Sequence, residues 1–186
     1  MPRQVALLRA INVGGRTVGK TELRRLFEEL GLTNVETFIA SGNVIFESRV
    51  SNRQKLEVQI ARHLQAALGY EVAAFIRTMA ELQAVAAYRP FPAADLRLDG
   101  AALYVMFLPA LLSRTCRRDV LALATSQDAF HIRGREIYWL GRRKLGGTLV
   151  DGAALAKAIG MPTSMRNINT IRRIAERYGA TRAGPR

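Results

Sequence analysis

The spacing of hydrophobic residues in the first half of the chain predicts strands and helices in a definite order. Residues 4–11 are apolar on both faces, as in a central strand that is covered on both sides. Two further apolar runs, 35–39 and 44–47, are separated only by Ala-Ser-Gly-Asn, and so short a glycine-containing link predicts a β-hairpin. A fourth strand is expected at residues 72–77.

Two segments between these strands have the spacing of amphipathic helices. Residues 21–30 place their apolar side chains on one face, with Thr21 as the expected N-cap and Gly31 as the expected stop. Residues 53–68 carry leucine and isoleucine on one stripe and end before Gly69. The order strand, helix, strand, strand, helix, strand is that of the ferredoxin-like (βαββαβ) unit.

The second half of the chain repeats most of this order. A capping box at Thr78 and Glu81 predicts a short helix, and the proline-containing segment 89–100 that follows it predicts a linker. Strands are then expected at 102–108, 130–132 and 136–140, and helices at 113–124 and 151–159. We therefore predict an α+β fold of two ferredoxin-like α/β plaits with antiparallel sheets, as domains 1–90 and 91–186.

A final helix is predicted at residues 166–178. Its apolar residues fall on one face, which is most simply a face that docks on the rest of the protein. These residues are Ile168, Ile171, Ile174, Ala175 and Tyr178.

Composition and charge narrow the class of protein. The chain has 186 residues, 49% of them hydrophobic, and has no apolar run of the length of a membrane span, which favours a globular protein that does not enter the membrane. Cys116 is alone, so no internal disulfide can form, and a cytoplasmic location is the simplest expectation. The formal charge of +13 suggests nucleic acid as a partner, but only four of the 28 basic residues are lysine, and this skew toward arginine is equally typical of a GC-rich genome.

One segment matches the spacing of a phosphate-binding loop. Gly14, Gly19, Lys20 and Thr21 fit G-x-x-x-x-G-K-[ST] between a predicted strand and a predicted helix. A nucleoside-triphosphatase core needs a parallel sheet, whereas here the first helix leads into an antiparallel hairpin. The first interpretation is therefore that the glycines simply make a turn. The alternative is that the protein is an enzyme that binds a nucleotide at these residues.

A set of short motifs occurs in a specific order along the chain: Ala6–Arg9, Ile11–Gly15, Glu22, Leu23, Ser41–Val44, Phe46, Arg89–Phe91, Ile137, Tyr138, Arg166, Asn167, Asn169 and Thr170. Through these residues the chain resembles, over residues 4–178, the bacterial family catalogued as domain of unknown function 1697. The resemblance implies two ferredoxin-like parts and no known activity. Alanine at position 10 departs from the family pattern, in which a glycine is usual.

Polar residues of this pattern are expected to meet at one rim of the first sheet. In a ferredoxin-like sheet the end of strand one lies beside the start of strand three. Glycine amides near asparagine, serine and basic side chains can bind phosphate or carboxylate, although the same residue types also make ordinary turns. The candidate residues are Arg9, Asn12, Gly14, Gly15, Ser41, Gly42 and Asn43, with Lys20 in reach.

A second group opens the last predicted helix. Asn167 or a neighbouring threonine is expected to cap this helix, and Arg166 is expected either to pair with an anion there or to hold the helix against the sheet. Asn169 and Thr170 complete this group. We hypothesise that it folds back to the rim and completes one site with Asn12 and Ser41.

Signatures of common catalytic sites are missing from the sequence. There is no metal-ligand spacing, nucleophile elbow or recognisable Cys-His pair, so no metal, cofactor or catalytic residue is predicted. RNA binding on the sheet surface lacks its stacking aromatics, since only Phe46 lies on the first or third strand. Tyr138 and Trp139 are better stacking candidates, but one of two successive strand residues should face the core. The sequence thus favours binding of an anionic ligand, either a phosphate-containing small molecule or a nucleic-acid backbone.

Overall fold

The first four strands form one antiparallel sheet in the computed structural model, which describes residues 1–12, 17–39, 42–142 and 149–179. The elements of this part are β1 (Arg3–Arg9), α1 (Lys20–Glu28), β2 (Thr33–Thr37), β3 (Asn43–Glu47), α2 (Arg53–Leu68), β4 (Ala73–Thr78) and α3 (Met79–Ala87). The strands lie in the order β2, β3, β1, β4, and each neighbouring pair is antiparallel. The predicted hairpin is confirmed, because β2 pairs directly with β3.

β1 is the centre of this sheet and is buried on both faces. Its four residues from Val5 to Leu8 are at most 2% exposed, as the doubly apolar pattern predicted. Ala6 and Leu8 belong to a core cluster with Leu26 of α1 and Ile60 of α2. The strand ends at Arg9 and not at the predicted Ile11, because Ala10 turns into the left-handed region with a φ of 67°.

A second antiparallel sheet has the corresponding strand order. Its elements are β5 (Ala102–Phe107), α4 (Arg114–Ala122), β6 (Asp128–Arg133), β7 (Glu136–Gly141), α5 (Gly152–Ile159), β8 (Ser164–Asn167) and the last helix, α6 (Ile168–Gly179). The strands lie in the order β6, β7, β5, β8. The described residues therefore form a mixed α+β fold with two four-stranded antiparallel sheets and six α-helices.

Side-chain caps fix most of the helix starts. Asn52, Ser113 and Asp151 each accept a hydrogen bond from a first-turn N–H group of α2, α4 and α5, respectively. The capping box is confirmed, because Thr78 Oγ1 accepts from the N–H of Glu81 at 3.1 Å and Glu81 Oε2 accepts from the N–H of Thr78 at 2.8 Å.

The start of α1 differs from the prediction. Thr21 was expected to cap this helix, but the helix begins one residue earlier, at Lys20, with Gly19 at the cap position. Thr21 therefore lies inside the first turn, where its hydroxyl cannot act as the N-cap acceptor. The stop is confirmed, since Gly31 has a φ of 74°.

One strand was missed in the sequence. β8 pairs with β5, placing Arg166 opposite Val105, so the prediction that a helix begins at Arg166 was wrong. The helix begins at Ile168. A strand of four residues that runs directly into a helix is too short to show alternation of its own.

The predicted apolar face of α6 is buried. Ile168, Ile171, Ile174, Ala175 and Tyr178 are all at most 7% exposed. The Tyr178 hydroxyl donates to Glu36 Oε2 at 3.0 Å, and Tyr178 meets Phe38 edge to face. These contacts bind the C-terminal end of α6 to β2 and to the residue that follows it.

The chain divides into two compact units. The first comprises Met1–Ala86 together with the chain from Arg172 onward, and the second comprises Ala87–Ile171. Among the described residues, no helix has the length and apolar character needed to cross a membrane.

Candidate functional site

The rim predicted from the sequence is where the end of β1 meets the start of β3. Leu7 lies opposite Asn43, and the N–H of Leu8 donates to the carbonyl of Gly42 at 2.8 Å. The structure thus confirms that these two chain segments are adjacent. Three of the predicted site residues, Gly14, Gly15 and Ser41, lie outside the described residues.

Asn12 closes the base of the loop that leads to α1. Its Oδ1 accepts a hydrogen bond from the N–H of Val18 at 2.7 Å, and its φ is 55°. Asparagine tolerates this left-handed conformation better than most residues. The bond brings the chain just before α1 to the end of β1, so the first turn of that helix starts beside the rim.

Gly42 and Asn43 have structural tasks at the same rim. A Cβ at Gly42 would lie 3.1 Å from the Cβ atoms of Leu8 and Ile11, and the φ of Gly42 is 69°, so a side chain is disfavoured both by its contacts and by the backbone conformation. Asn43 is fully buried, and its Nδ2 donates to the carbonyl of Phe38 at 3.0 Å. Both residues hold the hairpin against β1.

Backbone strain gathers at this rim. Four described residues other than glycine have positive φ, and three of them are Ala10 at 67°, Asn12 at 55° and Ile39 at 58°. A β-branched residue such as Ile39 rarely adopts this conformation, which costs roughly 1–2 kcal/mol. Strain of this kind collects at binding and catalytic sites, where the surrounding structure holds it in place.

The first turn of α1 supplies unsatisfied donors next to the strained segment. Gly19 has no side chain to cap the helix, and within the described parts of the chain no side chain accepts from the N–H groups of Lys20, Thr21 or Glu22. Lys20 and Thr21 are exposed, and Arg9 is exposed at the end of β1. The free N–H groups and the helix dipole make this a positive position.

The nucleotide-loop alternative finds mixed support. The helix begins at Lys20, where a phosphate-binding loop would start its helix. However, β1 is flanked by β3 and β4, both antiparallel to it, and the described strands include no parallel pair. A nucleoside-triphosphatase core places a parallel strand beside this one, and neither β3 nor β4 is such a strand.

The second predicted group lies on β8 and the start of α6. Arg166 Nη1 donates to Ser164 Oγ at 2.9 Å and to the carbonyl of Met165 at 2.8 Å. Burial of the guanidinium lowers the pKa of Arg166 to about 10, so the group stays charged at neutral pH.

Asn167 caps α6, as the sequence suggested. Its Oδ1 accepts from the N–H of Asn169 at 2.9 Å. Asn169 is exposed and Thr170 is half-buried. This group belongs to the second unit and Asn12 to the first, so a single site built from both stays a prediction.

Sequence reasoning missed a polar and aromatic cluster in the second unit. The hydroxyl of Tyr88 lies 2.8 Å from His131 Nε2, and the guanidinium carbon of Arg133 lies 4.2 Å from the centre of the Tyr88 ring. Tyr138 packs against Tyr88 at 5.2 Å, and burial raises its pKa. The sequence pointed to Tyr138 through the family pattern and as a stacking candidate, but no spacing rule connects Tyr88 with His131, 43 positions further along the chain.

Tyr138 and Trp139 are both buried, so neither is a surface for stacking bases. Their exposed fractions are 1% and 7%. Trp139 Nε1 donates to Asp128 Oδ1 at 2.9 Å, and Asp128 Oδ2 accepts from the N–H of Leu149 at 3.1 Å. This fully buried carboxylate is a structural anchor that the sequence did not reveal. Across the described ranges, no three histidine, cysteine or carboxylate side chains are grouped as metal ligands would be.

Comparisons with known proteins give a family and a fold. A family model described as "Protein of unknown function (DUF1697)" matches residues 1–138, so the chain belongs to this family and the resemblance seen in the sequence is confirmed. The group 166–170 lies beyond the matched residues. A solved structure of a conserved bacterial protein from Streptococcus pneumoniae is similar to this chain, with 23% sequence identity, a TM-score of 0.70, and coverage of 97% of this chain and 99% of that chain. No curated protein matches.

Proposed function

We propose that this member of the DUF1697 family binds an anionic ligand at the rim of its first sheet, through a phosphate group of a small molecule or of a nucleic-acid backbone. The observation that carries the proposal is the strained backbone of Ala10, Asn12 and Ile39 at one rim. A stretch that binds nothing gains little from holding alanine and isoleucine in left-handed conformations.

The uncapped first turn of α1 gives the ligand its partners. Three N–H groups at the positive end of the helix dipole suit a phosphate oxygen. Lys20 is exposed at the same helix end, and the bond between Asn12 and Val18 holds that end beside the rim. The predicted participants Gly14, Gly15 and Ser41 stay part of the proposal.

A matched pair of variants at Gly19 tests this proposal. A Cβ at Gly19 meets nothing within 4 Å, and the φ of −64° suits any residue, so a side chain can be added without strain. Gly19→Asn adds a neutral cap, whereas Gly19→Asp adds a cap of nearly the same shape with a negative charge. In calorimetric titrations with inorganic phosphate and with a short single-stranded RNA, we expect Asp to weaken binding at least about tenfold, the equivalent of about 1.4 kcal/mol, and Asn to weaken it less.

Two lysines provide the control. Lys20→Ala should weaken phosphate binding, whereas Lys55→Ala should not. Lys55 lies in the first turn of α2, where its backbone N–H already donates to Asn52 Oδ1 at 2.9 Å. The proposal is wrong if phosphate binds the Gly19→Asp and Lys20→Ala variants as tightly as the original chain, or if neither phosphate nor the RNA binds the original chain. Binding of RNA alone, with a steep salt dependence, would identify the nucleic-acid backbone as the ligand.

The alternative function is an enzyme that binds a nucleotide through Gly14, Gly19, Lys20 and Thr21. The start of α1 at Lys20 favours it, and the antiparallel neighbours of β1 disfavour it. Binding of a nucleoside triphosphate that requires magnesium, and that Lys20→Ala abolishes, would establish the alternative.

We also propose that both halves are ferredoxin-like plaits and that the domains are residues 1–90 and 91–186. The strand orders β2-β3-β1-β4 and β6-β7-β5-β8, each with helices after its first and third strands, support the plait. The change of compact unit at Ala86 supports a boundary near residue 90, whereas the assignment of the chain from Arg172 onward to the first unit departs from the range 91–186. Limited proteolysis should cut first within residues 89–100. Cleavage confined to other segments would contradict the boundary.

A further inference from the structure

A second candidate site lies in the first unit, at the edge of the sheet where β1 and β2 begin. An open cleft of about 1140 Å³ is lined there by both termini of the described unit, by β2 and by α1. Its volume is slightly above the range of about 300–1,000 Å³ that is typical of sites for small molecules. Three arginines and three glutamates line it, so its formal charge is balanced. They are Arg3, Arg24, Arg177, Glu28, Glu36 and Glu47.

Two of the three carboxylates are held by the protein itself. Glu47 Oε2 accepts from Asn34 Nδ2 at 3.0 Å, and its other oxygen lies 3.7 Å from Arg3 Nη2. Glu36 accepts from the Tyr178 hydroxyl at 3.0 Å. Desolvation and this hydrogen bond raise the pKa of Tyr178, so the phenol keeps its proton at neutral pH. These groups build the wall of the cleft and leave little capacity for a ligand.

Two of the three guanidinium groups are held in place without a carboxylate partner. Arg24 Nε donates to the carbonyl of Val35 at 2.9 Å, which orients the side chain while its two Nη groups remain available. The guanidinium carbon of Arg177 lies 5.3 Å from the centre of the Tyr178 ring. Among the residues that the structure describes, neither Arg24 nor Arg177 forms an ion pair. Both side chains are exposed.

We propose that this cleft binds a small organic anion through Arg24 and Arg177. A guanidinium offers paired N–H donors that match a carboxylate or a phosphate, and orientation by Val35 and by Tyr178 reduces the entropy lost on binding. The acidic residues on the same walls argue against a long polyanion, because a nucleic-acid backbone would meet Glu28, Glu36 and Glu47 as well. A ligand with a single carboxylate or phosphate group needs only the guanidinium groups of Arg24 and Arg177 as partners.

Two probes that differ only in their anionic group test the proposal. Benzoate and phenyl phosphate are titrated into the full chain, and binding is followed by calorimetry and by the NMR signals of the Tyr178 ring. We expect at least one probe to bind and to shift these signals, and the probe that binds more tightly identifies the preferred group.

Charge variants locate the binding. Arg24→Gln and Arg177→Gln should each weaken binding at least tenfold, whereas Arg62→Gln, which removes an exposed arginine on α2 away from the cleft, should leave it unchanged. Gly19→Asp should not alter it, which separates this site from the rim. The proposal is wrong if neither probe binds, or if the Arg177→Gln chain, shown to be folded by its thermal unfolding, binds as the original chain does.

Discussion

The two sheets share one strand order but differ where their first helices begin. α1 follows β1 and starts after Gly19 without a side-chain cap, whereas α4 follows β5 and starts with Ser113, whose Oγ accepts from the N–H of Cys116 at 3.1 Å. Ala10, Asn12 and Ile39 have positive φ near the first of these starts, and no described residue of the second unit other than glycine does. α4 uses the side-chain cap that stabilises a helix start, and α1 omits it.

We propose that this difference marks the position of the ligand site. α4 occupies the same position in its sheet as α1, and it has both a side-chain cap and an unstrained backbone before it. The missing cap and the strained residues beside α1 therefore lower stability, and the fold does not require them. The first-turn N–H groups of α1 correspond to those of α4, where Ser113 accepts a hydrogen bond from one of them. We infer that a ligand takes the place of the cap in the first unit.

The largest expected effect compares two hairpin glycines. Gly42→Ala should lower the free energy of unfolding by about 2–4 kcal/mol, because its φ is positive and a Cβ would lie 3.1 Å from those of Leu8 and Ile11. Gly134 also has a positive φ, but a Cβ there would come no closer than 3.5 Å to Glu136 Oε2. Gly134→Ala should therefore cost only about 1–2 kcal/mol. Urea denaturation of both variants measures the difference, and equal costs would show that the close approach at the rim is unimportant.

A smaller effect comes from exchanging the two helix starts. Ser113→Ala should destabilise the protein by about 1 kcal/mol, since it removes the acceptor for a first-turn N–H group of α4. Gly19→Ser should instead stabilise it by a few tenths of a kcal/mol, because serine is the better cap. Thermal unfolding without ligand provides the test. A loss of stability in Gly19→Ser would mean that the start of α1 is not available for capping.

The smallest effect concerns the strained residue at the end of β1. Ala10→Gly should raise the free energy of unfolding by about 0.5 kcal/mol, because relief of the left-handed strain slightly exceeds the extra entropy of glycine in the unfolded chain. Denaturant titration measures the change. Ala124→Gly, in the segment after α4, serves as a control that should give no gain. A destabilised Ala10→Gly chain would show that alanine at this position is not strained.

The sequence was sufficient for features that depend on local patterns. The order of the first six elements, the hairpin, the capping box of Thr78 and Glu81, and the buried face of α6 all follow from spacing and residue type, and the structure confirms them. β8 was missed because four residues show no period.

The site was less accessible to sequence reasoning. Ala10 and Ile39 are residue types that avoid positive φ, so their conformations depend on tertiary structure and no propensity indicates them. The tasks of Asn12, Gly42 and Asn43 likewise depend on partners such as Val18, Leu8 and Phe38. The polar residues of the family pattern located the rim. The sequence did not distinguish the residues that build the turn from those that would bind a ligand.

The most direct test of the account is an NMR titration of the original chain with inorganic phosphate, observed at the backbone amides. We predict that the amide signals of Lys20, Thr21 and Glu22 shift in a saturable manner. Those of Arg114, Thr115 and Cys116, at the capped start of α4, should stay in place. Shifts spread over the exposed arginines, or equal shifts at the two helix starts, would contradict the claim that a ligand replaces the missing cap of α1.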